Sequence, residues 1–203
     1  MTAPVGAILA GGRSSRLGTD KARVDVGGVA SIERVRIALA EAGADVVVVG
    51  RPGQEPPLGE IPFVTDRHPE RCVLAGIVRA LELAGPRRAV VTGCDHPLLS
   101  ADLVRMLLGR AGRGDVHIPL VQGRLAPLVA VYESPAALGP LARRLSEGRL
   151  GAVRALNELE LDIVPEDAVR AVDPELASFL NLNTPEDLAL ISLRAGPGGQ
   201  YTS

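Results

Sequence analysis

The chain has 203 residues, 46% of them hydrophobic and 23% charged, enough to bury about 70% of the surface its unfolded form exposes and to build a core without disulfides. Its formal net charge of -2 lacks the basic excess that a phosphate-backbone partner demands, and 2% aromatic residues leave almost nothing to stack bases on, which excludes nucleic acid. Cys72 and Cys94 have no metal or redox spacing and read as reduced core thiols, and no apolar run approaches the roughly 18 residues of a membrane span, so the expectation is a cytoplasmic protein that contacts no membrane.

In chain order, apolar runs at 5–10, 46–49, 61–64 and 89–92 are too short for helices and predict strands, and the four consecutive valines of 46–49 fit one covered on both faces. Helical spacing separates them: Ile32, Val35 and Leu39 before Gly43, then Leu74, Ile77, Val78 and Leu81 before Gly85. This alternation predicts an α/β fold of parallel βαβ units, in which ligands bind at the loops that follow the strands. The second half is less regular. A helix opened by Ser100 carries Leu103, Met106 and Leu107. Strands at 115–120 and 127–132 then flank the turn Gln122-Gly123-Arg124, a hairpin that interrupts the parallel pattern. Helices over 135–147 and 151–159 precede a strand at 161–164 and a last helix capped by Thr184 with Pro185 at its first position. Residues 1–195 read as a single domain and 196–203 as a disordered tail.

The segment Leu9-Ala10-Gly11-Gly12-Arg13-Ser14-Ser15-Arg16-Leu17-Gly18-Thr19-Asp20-Lys21 comes directly after the first strand. Glycines there let the backbone approach a ligand with its amides turned toward negative charge. Arg13, Arg16 and Lys21 place three cations within nine residues, the equipment for holding a triphosphate during phosphoryl transfer. Gly18 is followed by Thr19 rather than lysine, so this is no Walker loop, and no glycine spacing in the chain fits the dinucleotide fingerprint. Asp95 comes after the fourth run and precedes Pro97, which puts it on the same sheet edge as the glycine-rich turn. One carboxylate suffices for magnesium when phosphate oxygens and water complete the shell; a turn or capping aspartate near Ser100 is the alternative. His96 reads as a turn histidine, because transfer to a phosphate oxygen needs no strong base.

These residues resemble a known family. Positions 9–21 look like the L-A-G-G-x-S-x-R-[LM]-G-x-D-K signature of molybdenum cofactor guanylyltransferases (MobA). Thr92-Gly93-Cys94-Asp95-His96-Pro97-Leu98-Leu99 resembles the family's C-D-x-P-[LFY] segment, and Asn181-Leu182-Asn183-Thr184-Pro185-Glu186-Asp187-Leu188 its N-x-N-T-P-E-[DE]-L, in the family's order. The resemblance implies a three-layer α/β/α Rossmann-like nucleotidyltransferase fold, mostly parallel. It also implies transfer of GMP from GTP to the molybdopterin-molybdenum cofactor with release of pyrophosphate, dependence on Mg2+, and molybdoenzyme-specific chaperones as recipients of the product. It assigns Leu9, Ala10, Gly11, Gly12, Lys21, Asp66, Gly76 and Asp95 to the nucleotide, Arg16, Lys21 and Asp95 to catalysis, and Asp95 to the metal. Asn181 and Asn183 would complete the metal shell or the acceptor pocket, with helix capping as their other reading. The chain departs from the family at Cys72-Val73 in place of Gly-Pro, at Val49-Gly50 where some members carry asparagine, and at Ala126-Pro127 in place of His-Pro. A cytidylyltransferase or another pyrophosphorylase of the same fold, and a nucleotide-binding regulatory module without turnover, are the rival readings. Neither composition nor spacing points to guanine or to molybdenum.

Overall fold

A computed structural model describes residues 2–11, 20–57, 61–68 and 72–196. Apolar side chains at odd and even positions alike require a strand covered twice, and β1 (Val5–Leu9) is used that way: Val5 and Ala7 enter one core cluster, Ile8 and the adjoining Ala10 the other. A single 3₁₀ turn, Lys21–Arg23, leads into a small hairpin of β2 (Asp25–Val26) and β3 (Val29–Ala30) around Gly27 and Gly28. Both glycines have positive φ, which a side chain would resist. Then come α1 (Ser31–Glu41), β4 (Asp45–Gly50), β5 (Phe63–Thr65), α2 (Val73–Ala84) and β6 (Arg88–Gly93). The rest is α3 (Ala101–Leu108), β7 (Val116–Val121), β8 (Arg124–Leu125), β9 (Val129–Glu133), α4 (Ser134–Ser146), α5 (Ala152–Ala155), β10 (Leu161–Val164), α6 (Glu166–Arg170) and α7 (Pro185–Ala195).

The main sheet runs β10-β7-β9-β6-β1-β4-β5, with β8 paired to β7. β1 is parallel to both β4 and β6, β4 to β5, and β7 to β10, while β9 runs antiparallel between β6 and β7. Helices cover both faces: α1 and α3 lie over one cluster, α2 and α4 over the other. The chain leaves β1 for β4 and β5 on one side, then returns to β6 on the other, so strand order reverses at β1. Crevices at such reversals are where open α/β sheets bind ligands.

Most predicted elements are present, with instructive shifts. The strand expected at 61–64 starts at Phe63; Pro62 has no N–H for the ladder. The turn Gln122-Gly123, both at positive φ, joins β7 to the two-residue β8, and β9 starts only at Val129. The helix expected over 151–159 is instead the four-residue α5 and a 3₁₀ turn, Leu156–Glu158. Arg143, Arg144 and Arg149 hold Glu158 there. The final helix matches its sequence signals: Thr184 and Asp187 form a capping box, and Pro185 opens α7. The expected tail falls, but for Gly196, outside the described residues. Among the described residues no helix is long and apolar enough to cross a membrane.

Candidate functional site

Four adjacent strands finish level at one edge. Leu9 at the end of β1 pairs with Val49 of β4 and Gly93 of β6, and Gly50 pairs with Thr65 of β5. Hydrogen bonds carry the ladder one residue further: Ala10 N–H to Val49 O at 2.9 Å, Cys94 N–H to Leu9 O at 3.1 Å and Asp66 N–H to Gly50 O at 2.9 Å. Because the strands are parallel, the loops at their C-terminal ends converge on one cavity of about 570 Å³. Its walls include Leu9, Ala10 and Gly11 at the end of β1, Arg51 and Pro52 after β4, Asp66 and His68 after β5, and Cys94 and Asp95 after β6. Lys21, Gly76 at the first turn of α2, and Leu128 ahead of β9 complete it.

Two glycines make this approach possible. A Cβ on Gly76 would lie 2.9 Å from Leu9 Cδ1, so its absence lets α2 settle against β1. A Cβ on Gly93 would lie 2.3 Å from Asp95 Oδ1, so the carboxylate occupies space that only glycine leaves open.

The charged centre sits on the β6 side of β1. Lys21 Nζ lies 3.7 Å from Asp95 Oδ2, with the two side chains only 16% and 25% exposed. Lys21 also donates to Asn183 Oδ1. The loop carrying Asn183 is tied to the same place, since Leu182 N–H donates to the Asp95 carbonyl at 2.9 Å. The Asp187 carboxylate anchors that loop by accepting from the N–H groups of Asn183 and Thr184. A cation beside a carboxylate with an amide oxygen against the cation is a site preset for a polyanion and its counter-ion.

Neighbouring groups are structural. His96 is buried, its Nδ1 lies 3.0 Å from Ser178 O, and burial lowers its pKa against the opposing pull of Asp95. Burial, with help from Asp95 and Asp20, pushes the Cys94 thiol well up, so it stays protonated, as expected of a core thiol. Cys72 is half-buried at the cavity wall, and neither cysteine is in a disulfide. Despite Cys72-Val73, α2 begins at Val73 and brings Gly76 to Leu9.

The structure thus brings Leu9, Ala10, Gly11, Lys21, Asp66, Gly76 and Asp95 together, and seats Asn183 against Lys21. Gly12, Arg13 and Arg16 lie outside the described residues. Asn181 does not join them: it is exposed and absent from the cavity wall, because burial of the next residue, Leu182, turns it outward. Sequence reasoning passed over Arg51 and His68, whose only signal is position after β4 and β5, and quoted Gly93 in the segment 92–99 without giving it a role.

The chain resembles known proteins over most of its length. A family model described as MobA-like NTP transferase domain matches residues 6–163. A curated relative from Desulfosudis oleivorans, named molybdenum cofactor guanylyltransferase, is 34% identical over 200 residues, covering 97% of this chain and 98% of the relative. A crystal structure of molybdopterin-guanine dinucleotide biosynthesis protein A from Archaeoglobus fulgidus superposes with a TM-score of 0.81 at 30% identity, covering 94% of this chain and 97% of the other. The 2-C-methyl-D-erythritol 4-phosphate cytidylyltransferase of Thermus thermophilus, at 23% identity, TM-score 0.69 and 95% and 98% coverage, shares the fold.

Proposed function

The chain belongs to the MobA-like NTP transferase family, and on that footing we propose that it transfers GMP from GTP to the phosphate of a molybdopterin-molybdenum acceptor, releasing pyrophosphate. The observation that carries this reading is the convergence of Gly11, Lys21 and Asp95 on one cavity at the strand reversal. Relatives named as guanylyltransferases supply the identity of base and acceptor.

The triphosphate would lie along the backbone just past β1, with Gly11 and Gly12 allowing close approach. Lys21 and Arg16 would balance the charge that builds at the α-phosphate as the acceptor oxygen attacks in line. An oxygen–phosphorus bond forms to the acceptor phosphate, and the bond to the β-phosphate oxygen breaks, so pyrophosphate carries away the electron pair. The protein's share is placement and charge rather than a covalent intermediate.

The donor set suits magnesium held largely by the substrate. Asp95 is paired with Lys21 while Asp66 follows β5 across the cavity, and the described residues contain no group of three His, Cys, Asp or Glu able to cage a metal, which is the sparse protein contribution that Mg2+ accepts. When bound, Mg2+ would neutralise phosphate charge, with Asp95 as its protein ligand. Asn183 is better read as the group that positions Lys21 than as an acceptor ligand, since its Oδ1 is already engaged.

The test is pyrophosphate release from GTP, Mg2+ and the isolated acceptor. Asp95→Ala and Lys21→Ala should each lower turnover by about 100-fold or more, the scale of removing a charge-stabilising group. Near-normal turnover in either folded variant overturns that residue's role, and full activity in excess chelator overturns the metal.

A further inference from the structure

The cavity has two chemically different ends. Toward β6 lie Lys21 and Asp95; across β1, toward β4 and β5, the walls are Leu9, Val49, Pro52 and Gly76, broken by the side chains of Arg51 and Asp66. Apolar walls with a few placed polar groups suit a flat heteroaromatic ring, whereas the paired charges suit phosphates.

Arg51 is built into that second end. Its backbone N–H donates to Gln54 Oε1 at 3.0 Å, and Gln54 Nε2 donates to Ala10 O at 3.2 Å. This bridge lays the Arg51 side chain across the β1 loop, with its Cγ 3.2 Å from where a Cβ on Gly11 would stand. Beyond that point its Nε is buried and has no hydrogen-bond partner. A buried guanidinium donor left unmatched is costly in a folded protein and calls for an acceptor from elsewhere.

Asp66 stands beside it, because Gly50 and Thr65, the residues just before the two, are paired in the sheet. One of its oxygens, Oδ1, accepts from His68 N–H at 2.8 Å, which orients the carboxylate. An arginine fork next to an oriented carboxylate offers donors beside an acceptor. Guanine presents the complement: O6 and N7 as adjacent acceptors, with N–H donors on the neighbouring edge. Adenine places an amino donor where guanine has O6 and would set it against the guanidinium.

We propose that Arg51 is the residue that selects guanine, by donating to O6 and N7 of the base. This rests on the guanylyl-transfer reading and adds to it the group responsible for the choice. Asp66 takes the N–H edge, and Gln54 holds Arg51 in place.

The experiment is calorimetric titration of the full chain with GTP, ITP, ATP and pyrophosphate in the absence of acceptor, so that no turnover intervenes. In wild type, GTP and ITP, which share O6 and N7, should both bind more tightly than ATP. Arg51→Gln and Arg51→Lys, each checked for an unchanged unfolding midpoint, should cut the GTP-over-ATP preference by about 10- to 100-fold and leave pyrophosphate affinity unaltered. Glutamine is the sharper probe, since its amide matches N6 and N7 of adenine. Lysine keeps the charge but loses the fork. Retained GTP preference in both variants overturns the inference alone. An equal loss for GTP, ATP and pyrophosphate in Arg51→Gln overturns it in favour of a phosphate contact. A wild-type protein indifferent between GTP and ATP overturns the guanylyl reading and this inference with it.

Discussion

Gly93→Ala tests whether the placement of Asp95, rather than its mere presence, sets the rate. The new Cβ would sit 2.3 Å from Asp95 Oδ1, where contacts under 3.0 Å essentially do not occur, so the carboxylate must retreat by about 0.7 Å or more. The nearest other obstacle, His96 Cδ2 at 3.3 Å, is tight but tolerable. Misplacing a reacting or charge-stabilising group by about 1 Å costs roughly 100-fold in rate, and the 3.7 Å Lys21–Asp95 pair would open at the same time. Stability should change much less. The Asp95 side chain is 25% exposed and can swing toward the cavity, which puts the overpacking cost at about 1 kcal/mol, the lower end of its usual span. For a chain of this length that is a midpoint shift of about 2–4 °C. Pyrophosphate release and thermal unfolding, run on the same preparation, separate the two effects. Turnover within threefold of wild type would refute the claim that the carboxylate's position matters; a collapse of the midpoint would show that Gly93 serves the fold instead.

Other parts of the molecule yield further expected outcomes. Thr184→Ala removes one half of the capping box on α7 and should cost about 1 kcal/mol in denaturant titration; it should also lower turnover, because the same loop carries the Asn183 that holds Lys21. Asp162 accepts two bonds from Arg110 and one from His117, and the Arg110 bond foremost holds its pKa below the usual carboxylate value. With the folded value below the unfolded one, the stabilisation is complete above about pH 4 and is lost as pH falls through the folded value. Asp162→Asn should therefore be less stable than wild type at pH 7, on the order of 2 kcal/mol, with the gap closing below pH 4. A gap that persists there in denaturant titrations contradicts the linkage.

Much of the fold is legible because its causes are local or periodic. Val46, Val47, Val48 and Val49 can form only a strand buried on both faces, and they divide alternately between the two core clusters. Thr184, Pro185 and Asp187 specify the start of α7 within four residues. The elements the reading left out are short. The β2–β3 hairpin carries its own local signal, Gly27-Gly28 in a two-residue turn, but its strands are only two residues long and are fastened by Arg34 Nε donating to Val26 O at 2.7 Å. α6 is anchored where Glu166 accepts from Gln122 N–H at 2.8 Å, a partner 44 residues away that no local window contains.

The site divides along the same line. Leu9 to Gly11 and Asp95 could be placed because each lies at the end of an apolar run, and parallel strands bring such positions to one edge whatever else the chain does. The role of Asn183 could not be placed this way. Its partner Lys21 lies 162 residues away, and the contact depends on Leu182 docking beneath Asp95 and on Asp187 anchoring the loop. Locally, asparagine before a helix signals a cap; the sequence marks Thr184 as the cap of α7, but only the tertiary structure shows that the Asn183 amide oxygen goes to the lysine. Asn183→Ala should therefore behave as a loss of lysine positioning: turnover falls while the unfolding midpoint stays close to wild type, and a Lys21→Ala background abolishes the further effect. If Asn183→Ala instead lowers turnover equally with and without Lys21, the amide acts on the substrate directly and the positioning role is wrong.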